Sequence, residues 1–140
     1  MKEFHILLVE DNEGDILMTS ESIQEYDPGC RIEVARNGQD AIEKLQSYVE
    51  DPLLRKPDLI LLDINLPRKN GHEVLAFIKS QLSPSSIPVV ILTTSSAPLD
   101  IQKAYQAHAN SYLTKPTEAE EFSKMVAALV EFWKRNVHLY

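Results

Sequence analysis

The sequence predicts a doubly wound α/β fold, in which helices cover both faces of a parallel sheet. Five short strand-like segments alternate with segments whose apolar residues recur at helical spacing. Three of the strands are apolar throughout, as strands are when both of their faces are covered. The chain has 140 residues, so we expect a single domain over residues 1–140 with no separate output domain.

Each strand is recognised by its pattern of apolar residues. The three central strands are Ile6-Leu7-Leu8-Val9, Leu59-Ile60-Leu61-Leu62 and Val89-Val90-Ile91-Leu92. Residues 31–34 alternate polar and apolar side chains, and residues 111–113 form a short segment between helices, so both strands are expected at the edges. With right-handed crossovers, five strand–helix units of this size suit the flavodoxin-like strand order 2-1-3-4-5 with five helices.

The five helices are indicated by apolar residues spaced three and four apart. The first four helices contain Ile16, Leu17 and Ile23; Ala41, Ile42, Leu45 and Val49; Val74, Leu75, Ile78 and Leu82; and Ile101, Ala104 and Tyr105. The last helix has the clearest stripe, and we expect it to begin just after Pro116. That stripe comprises Phe122, Met125, Val126, Leu129, Val130 and Trp133.

The composition excludes several classes of function. The chain has 14 Lys and Arg against 21 Asp and Glu, and the net charge of -7 repels nucleic acids and anionic membranes. No apolar run approaches the roughly 20 residues of a transmembrane helix, and the first residues do not resemble a signal peptide. We therefore expect a cytoplasmic protein without nucleic-acid or membrane partners. Cys30 is the only cysteine, which excludes an internal disulfide.

Polar side chains follow four of the five strands, at the edge where open α/β sheets bind ligands. Glu10 and Asp11 follow the first strand, Asp63 the third, Thr93 ends the fourth and Lys115 follows the fifth. Two carboxylates about 4 Å apart repel by about 4 kcal/mol at an effective dielectric of 20, so a bound cation is expected. Oxygen ligands alone suit Mg²⁺ and not zinc. A carboxylate beside Mg²⁺, with a lysine and a hydroxyl nearby, can form an aspartyl-phosphate on Asp63.

Nearly the whole chain resembles the receiver domain of two-component response regulators. The spacing is specific, because Thr93 lies 30 residues after Asp63 and Lys115 a further 22 residues on, as in that family. The matching motifs are Ile6-Leu7-Leu8-Val9-Glu10-Asp11-Asn12, Asp63-Ile64-Asn65-Leu66-Pro67 with Asn70-Gly71, Leu92-Thr93-Thr94-Ser95 and Tyr112-Leu113-Thr114-Lys115-Pro116.

The resemblance implies a role for each residue of the acidic pocket. Asp63 would be the phosphoacceptor and a ligand of Mg²⁺. Asp11 would bind Mg²⁺ directly, Glu10 largely through water, and Asn65 through its backbone carbonyl. The phosphoryl donor would be a histidine of a sensor kinase, because no histidine here matches the family's site. The protein would not be an enzyme beyond promoting its own phosphorylation and dephosphorylation.

The resemblance also implies a conformational switch. Thr93 and Lys115 would contact the phosphoryl oxygens, and Tyr112 would follow Thr93 when its hydroxyl moves toward the phosphoryl group. This change would repack the face formed by the fourth helix, the fifth strand and the fifth helix. The family further implies a cis peptide bond between Lys115 and Pro116.

The end of the chain indicates an interface. The last helix is longer than the sheet, and Phe132 and Trp133 lie in its final turns, followed by an apolar tail. We expect a homodimer through the fourth and fifth helices, with Phe132 and Trp133 in the interface. A tail folded back on its own domain is the alternative. This ending and the long loop over residues 50–58 resemble the stand-alone response regulators of bacterial and cyanobacterial phytochromes, which implies a phytochrome-type kinase and an unidentified downstream protein.

Other functions fit the residues less well. A phosphatase with an Asp-x-Asp motif needs a general acid at position 65, and Asn65 cannot supply a proton. A flavin carrier needs a phosphate-binding loop after the first strand, where this chain is acidic. A receiver-like scaffold that binds partners without phosphorylation remains an alternative.

Overall fold

The structure, a computed structural model, describes residues 3–82 and 87–136 and contains a five-stranded parallel sheet. The strands are β1 (His5–Val9), β2 (Arg31–Ala35), β3 (Leu59–Leu62), β4 (Val89–Thr93) and β5 (Ser111–Thr114). They pair in the order β2-β1-β3-β4-β5, and every pairing is parallel. The predicted fold class and strand order are confirmed, with β2 and β5 at the edges.

Helices follow the strands in strict alternation. They are α1 (Glu13–Tyr26), α2 (Gly38–Glu50), α3 (Gly71–Gln81), α4 (Pro98–Gln106) and α5 (Ala119–Asn136). Asn12, Asn37 and Asn70 cap the first three helices, because each side chain accepts a hydrogen bond from a backbone amide in the first turn. Pro98 stands in the first turn of α4, where a missing N–H costs little. No helix of the described residues is long and apolar enough to cross a membrane.

The core lies in two layers, one on each face of the sheet. On one face, α1 and α5 pack against β1 and β3 through residues such as Ile6 and Phe122. On the other face, α2, α3 and α4 pack against the same strands through residues such as Leu7 and Leu75. Successive residues of β1 therefore enter opposite layers, which is why the central strands are apolar throughout.

The loop after β3 is held tightly against two helix starts. A Cβ atom on Gly71 would lie 2.4 Å from the backbone oxygen of Asp63, so only glycine permits α3 to begin this close to the strand end. The Gly71 amide donates to the carbonyl of Ile64 at 2.9 Å. On the other side of the loop, a Cβ on Gly38 would lie 1.7 Å from the Lys69 carbonyl oxygen. These contacts fix the backbone that carries Asp63.

The Lys115–Pro116 peptide bond is trans, since residues 3–82 and 87–136 contain no cis peptide bond. The expectation of a cis bond at this position is therefore wrong for this structure. The trans isomer is favoured by about 0.5–1 kcal/mol for a bond that precedes proline, so it needs no special support.

Candidate functional site

The carboxyl edge of the sheet gathers four buried polar residues. Glu10 follows β1, Asp63 follows β3, Thr93 ends β4 and Lys115 follows β5. All four side chains belong to the buried part of the molecule, at 3%, 6%, 0% and 8% relative exposure. Asp11 lies beside them and is exposed. Because buried charges are unfavourable unless they are paired, the contacts of these groups decide what the site can do.

The ammonium of Lys115 lies at the centre of the site. Its Nζ donates to Oδ2 of Asp63 at 2.9 Å, to Oδ2 of Asp15 at 2.9 Å, and to Oε1 of Glu10 through a short hydrogen bond. A lysine has three N–H donors, so each donor has a carboxylate partner. The lysine thereby compensates the negative charges that meet here.

Asp63 is held through both of its carboxylate oxygens. Oδ1 accepts a hydrogen bond from Oγ1 of Thr93 at 2.7 Å and another from the backbone amide of Asn65 at 3.0 Å. Oδ2 accepts from Lys115. Such bonds fix the orientation of the carboxylate, which a nucleophilic carboxylate requires.

Burial strongly affects the ionisation of the Glu10 and Lys115 pair. Burial raises the pKa of Glu10 to about 7, and the nearby Asp63 charge adds to this effect, although Lys115 opposes it. Burial alone would lower the pKa of Lys115, but the hydrogen bonds to Glu10, Asp15 and Asp63 raise it above its ordinary value. Lys115 therefore stays charged at neutral pH, whereas Glu10 takes up a proton more readily than an ordinary glutamate.

Three carboxylates of the site are arranged to hold a metal ion. Glu10, Asp11 and Asp63 can each offer one oxygen, and these oxygens lie within 4.8 Å of one another. Carboxylate oxygens in a small cluster with one side open to solvent are typical of Mg²⁺ sites, in which the ion keeps several waters. The donor set fits the predicted cofactor.

Ser95 connects the site to the fourth helix and the fifth strand. Its backbone amide donates to Oγ1 of Thr93 at 3.4 Å, and its carbonyl accepts from the Tyr112 hydroxyl at 2.8 Å. Its own hydroxyl donates to Oδ2 of Asp100 at 2.6 Å, and Asp100 also bonds Nε2 of His72 at 3.1 Å. Thr93 and Tyr112, predicted as the switch pair, are thus joined through one residue.

Two carboxylates of this network, Asp15 and Asp100, were not predicted from the sequence. Asp15 stands in the first turn of α1, where an acidic residue is ordinary because it complements the helix dipole. Asp100 stands in the first turn of α4 for the same reason. No local pattern indicates that Asp15 reaches a lysine 100 residues further along the chain.

The end of α5 differs in part from the expectation of an uncovered overhang. Trp133 is partly buried and packs against the core layer of α1 and α5. The ring of Phe132 is 56% exposed and meets that of Trp133 edge to face, with centroids 5.2 Å apart. An apolar groove runs from β5 to α5 and includes Leu113, Met125 and Trp133. The predicted tail over residues 137–140 lies outside the described residues.

Comparison with known proteins identifies the class to which this fold and site belong. Residues 6–127 match the sequence model of the response regulator receiver domain. The chain belongs to this family. Receiver domains bind a divalent metal ion at the acidic pocket, and this chain has such an acidic cluster, so the predicted divalent metal cofactor is confirmed.

Individual relatives are similar over almost the full length. Response regulator Rcp1 of Synechocystis sp. (strain ATCC 27184 / PCC 6803 / Kazusa) is 40% identical over 134 residues, which cover 96% of this chain and 91% of that protein. The crystal structure of the phosphorylated cyanobacterial phytochrome response regulator RcpA has a TM-score of 0.90 at 38% identity and covers 99% of both chains. The Mn²⁺-bound form of Rcp1 has a TM-score of 0.86 at 39% identity, covering 98% of this chain and 99% of that one.

Proposed function

We propose that this protein is a response regulator that accepts a phosphoryl group on Asp63 from a histidine of a sensor kinase. The observation that carries the proposal is the set of contacts around Asp63. A buried carboxylate is held by Lys115, Thr93 and the Asn65 amide, beside two further carboxylates that suit Mg²⁺. The protein acts as a cytoplasmic signalling protein and promotes only its own phosphorylation and dephosphorylation.

The chemistry follows from the roles of these groups. A carboxylate oxygen of Asp63 forms a bond to phosphorus while the bond from phosphorus to the kinase histidine breaks, and the histidine nitrogen keeps the electron pair. Lys115 neutralises charge on the phosphoryl oxygens, and the Thr93 hydroxyl exchanges its Asp63 partner for one of them. Glu10, Asp11, Asp63 and the Asn65 carbonyl would hold Mg²⁺, which supplies further neutralisation of the transferred group.

Signal output uses the connection through Ser95. When Thr93 changes its partner, the Ser95 amide bonded to Thr93 and the Ser95 carbonyl bonded to Tyr112 shift with it. Tyr112 belongs to β5, and its amide donates to the hydroxyl of Tyr105 in α4 at 3.0 Å. The face formed by α4, β5 and α5 therefore changes shape on phosphorylation and presents the signal to a downstream protein.

The test of phosphorylation is intact mass after incubation with acetyl phosphate, with and without Mg²⁺. The wild type should gain one phosphoryl group only with Mg²⁺, and Asp63→Asn should gain none. Asp51→Asn removes the same charge from an exposed loop and should behave as the wild type. If the wild type gains nothing from acetyl phosphate or from a histidine kinase, the protein is instead a receiver-like scaffold that binds partners without phosphorylation.

The proposed kinase partner is of the phytochrome type. The support is the similarity to Rcp1 and RcpA, at 40% and 38% identity over nearly the full length. Purified, autophosphorylated cyanobacterial phytochrome should transfer its phosphoryl group to the wild type and not to Asp63→Asn. A sensor kinase without a phytochrome module serves as the control, and equal transfer rates from both kinases would contradict this partner.

The proposed assembly is a homodimer through α4, β5 and α5. The apolar groove between β5 and α5 and the exposed ring of Phe132 lie on this face. A second copy of the chain would cover both. The double variant Phe132→Ala, Trp133→Ala should give a monomer mass by light scattering under conditions in which the wild type is a dimer. A dimer mass for the double variant would exclude this surface.

A further inference from the structure

The three carboxylates around Lys115 do not have the same surroundings. Glu10 and Asp63 bond the lysine and also belong to the cluster whose oxygens can hold a metal ion. Asp15 bonds the lysine at 2.9 Å, the same distance as Asp63, but is not part of that cluster. Lys115 and a metal ion therefore compete for Glu10 and Asp63, and not for Asp15.

This competition sets a requirement on the position of the lysine. A divalent ion attracts the oxygens of Glu10 and Asp63 and repels the ammonium, so binding of the ion weakens two of the three bonds of Lys115. The lysine must nevertheless remain near Asp63, because the proposed function uses it to neutralise the phosphoryl group. A carboxylate that binds Lys115 but not the metal would keep the lysine near Asp63 while Glu10 and Asp63 bind the ion.

The fold supplies such a carboxylate from α1. Asn12 caps the helix and accepts a hydrogen bond from the backbone amide of Asp15 at 2.9 Å, which fixes the first turn. From there the side chain of Asp15, 26% exposed, reaches the side chain of Lys115, which is 5% exposed. Asp15 therefore contacts the ammonium from the solvent side of the pocket, whereas Glu10 and Asp63 contact it from the buried side.

We propose that Asp15 is a positioning residue for Lys115. It holds the ammonium at the edge of the pocket, so that a divalent ion can occupy Glu10, Asp11 and Asp63 while the lysine stays within reach of the phosphoryl group. The role of the lysine in phosphorylation rests on the proposed function. The effect on metal binding does not, because it concerns the unphosphorylated protein.

The test measures Mg²⁺ affinity by isothermal titration calorimetry on the full, unphosphorylated chain. Asp15→Asn keeps the size of the side chain and removes its charge, so the lysine should turn fully to Glu10 and Asp63. Mg²⁺ affinity should fall by about fivefold, in line with the loss of one charge-assisted hydrogen bond. Asp15→Glu restores a carboxylate and should bind Mg²⁺ within about twofold of the wild type. No loss in Asp15→Asn would overturn the proposal.

Two further variants separate positioning from simple loss of negative charge. Glu13 stands in the same turn of α1 but bonds Arg36, so Glu13→Gln should change Mg²⁺ affinity by less than about twofold. In a Lys115→Met background that circular dichroism shows to be folded, Asp15→Asn should have no further effect. An equal loss of affinity with and without the lysine would show that Asp15 acts on the metal directly, and this result too would overturn the proposal.

The same variants report separately on the proposed function. If acetyl phosphate modifies Asp63 while Asp15→Asn binds Mg²⁺ as the wild type does, only the positioning role is wrong. If Asp63 takes up no phosphoryl group but Asp15→Asn weakens Mg²⁺ binding through Lys115, only the proposed function is wrong.

Discussion

A buried polar residue lies at each end of strand β1, and the two residues differ in whether their side chains have a hydrogen-bond partner. His5, the first residue, is 1% exposed, and neither ring nitrogen has a hydrogen-bond partner within the described ranges. Oε1 of Glu33 lies 3.8 Å from Nε2 of the ring, which is too far for a hydrogen bond. Glu10, the residue after the strand, is 3% exposed and bonds Lys115.

The difference lies in what the neighbouring groups are already bonded to. At the amino end, Asp58 accepts from the His5 amide and from Arg55, and Glu33 accepts from the Tyr48 hydroxyl. Neither carboxylate forms a hydrogen bond with the imidazole ring of His5. Burial therefore lowers the pKa of His5, and the charges of Arg31 and Arg55 add to this shift, so the ring stays neutral.

At the carboxyl end the buried carboxylates are paired with a lysine. Lys115 compensates Glu10 and Asp63, and a metal ion can replace it at part of the cluster. The energetic cost of burying a polar group is therefore reduced in two ways. At the amino end of β1 the side chain is neutral, and at the carboxyl end it is paired with a lysine. Only the second arrangement leaves a cluster that can bind a cation, as the proposed function requires.

The largest effect is expected from breaking the ion pairs at the carboxyl end. Lys115→Met should lower the free energy of unfolding of the metal-free protein by about 3 kcal/mol, because Glu10 and Asp63 stay buried without a cation. Urea denaturation in the presence of EDTA measures this change. Lys124→Met removes an exposed lysine of α5 and should change stability by less than about 0.5 kcal/mol. Equal stabilities of the two variants would contradict the role of Lys115 in compensating the buried carboxylates.

The next effect is the pH dependence that Glu10 adds to stability. Because its pKa is raised to about 7 in the folded protein, the folded state binds a proton that the unfolded state does not bind until near its ordinary pKa of 4.5. The contribution of Glu10 to stability should therefore grow as the pH falls through about 7, by up to about 3 kcal/mol, and be lost as the pH rises again. In urea denaturation of the metal-free protein across this range, the free energy of unfolding of the wild type should grow relative to that of Glu10→Gln as the pH falls. If the free energies of unfolding of the two proteins changed in parallel with pH, Glu10 would not be the titrating group.

The amino end should show a pH effect of the opposite sign. The pKa of His5 is lowered by burial, so below about pH 6.5 the unfolded state takes up a proton that the folded state excludes. The contribution of His5 to stability should fall with the pH by at most about 1.4 kcal/mol per pH unit, and His5→Leu should remove this contribution. His108→Asn is the control, because His108 is exposed at φ 67°, a conformation that asparagine tolerates. An unchanged slope in His5→Leu would show that another group titrates.

The smallest effect is expected at the hydrogen bond between Tyr48 and Glu33. The hydroxyl of Tyr48 donates to Oε1 of Glu33 at 3.1 Å, and burial, together with the charge of Glu33, raises the pKa of Tyr48 to about 12. Tyr48→Phe removes one hydrogen bond to a partly exposed carboxylate and should lower the free energy of unfolding by about 1 kcal/mol in urea denaturation. A loss of stability as large as that of Lys115→Met would mean that the buried groups at the amino end also depend on a charged partner.

Most of the candidate site could be predicted because its residues are tied to strand ends. Apolar runs locate the strands, and parallel strands place Glu10, Asp63, Thr93 and Lys115 at one edge whatever the helices do. The Lys115–Pro116 bond was not predictable in this way, because both isomers are compatible with the same sequence. The phosphoacceptor role, the kinase and the dimer remain predictions that the experiments above test.

The sequence by itself determined the strand order, the two core layers and the meeting of acid, hydroxyl and lysine at one edge of the sheet. Only the tertiary structure decided that Asp15 is a third partner of Lys115 and that Ser95 joins Thr93 to Tyr112. The physical reason is that burial and hydrogen bonding require different precision in the positions of atoms. Hydrophobic periodicity determines which face of an element is buried, whereas a hydrogen bond requires two atoms within about 3 Å, and that distance depends on how α1 and the loop before α4 dock.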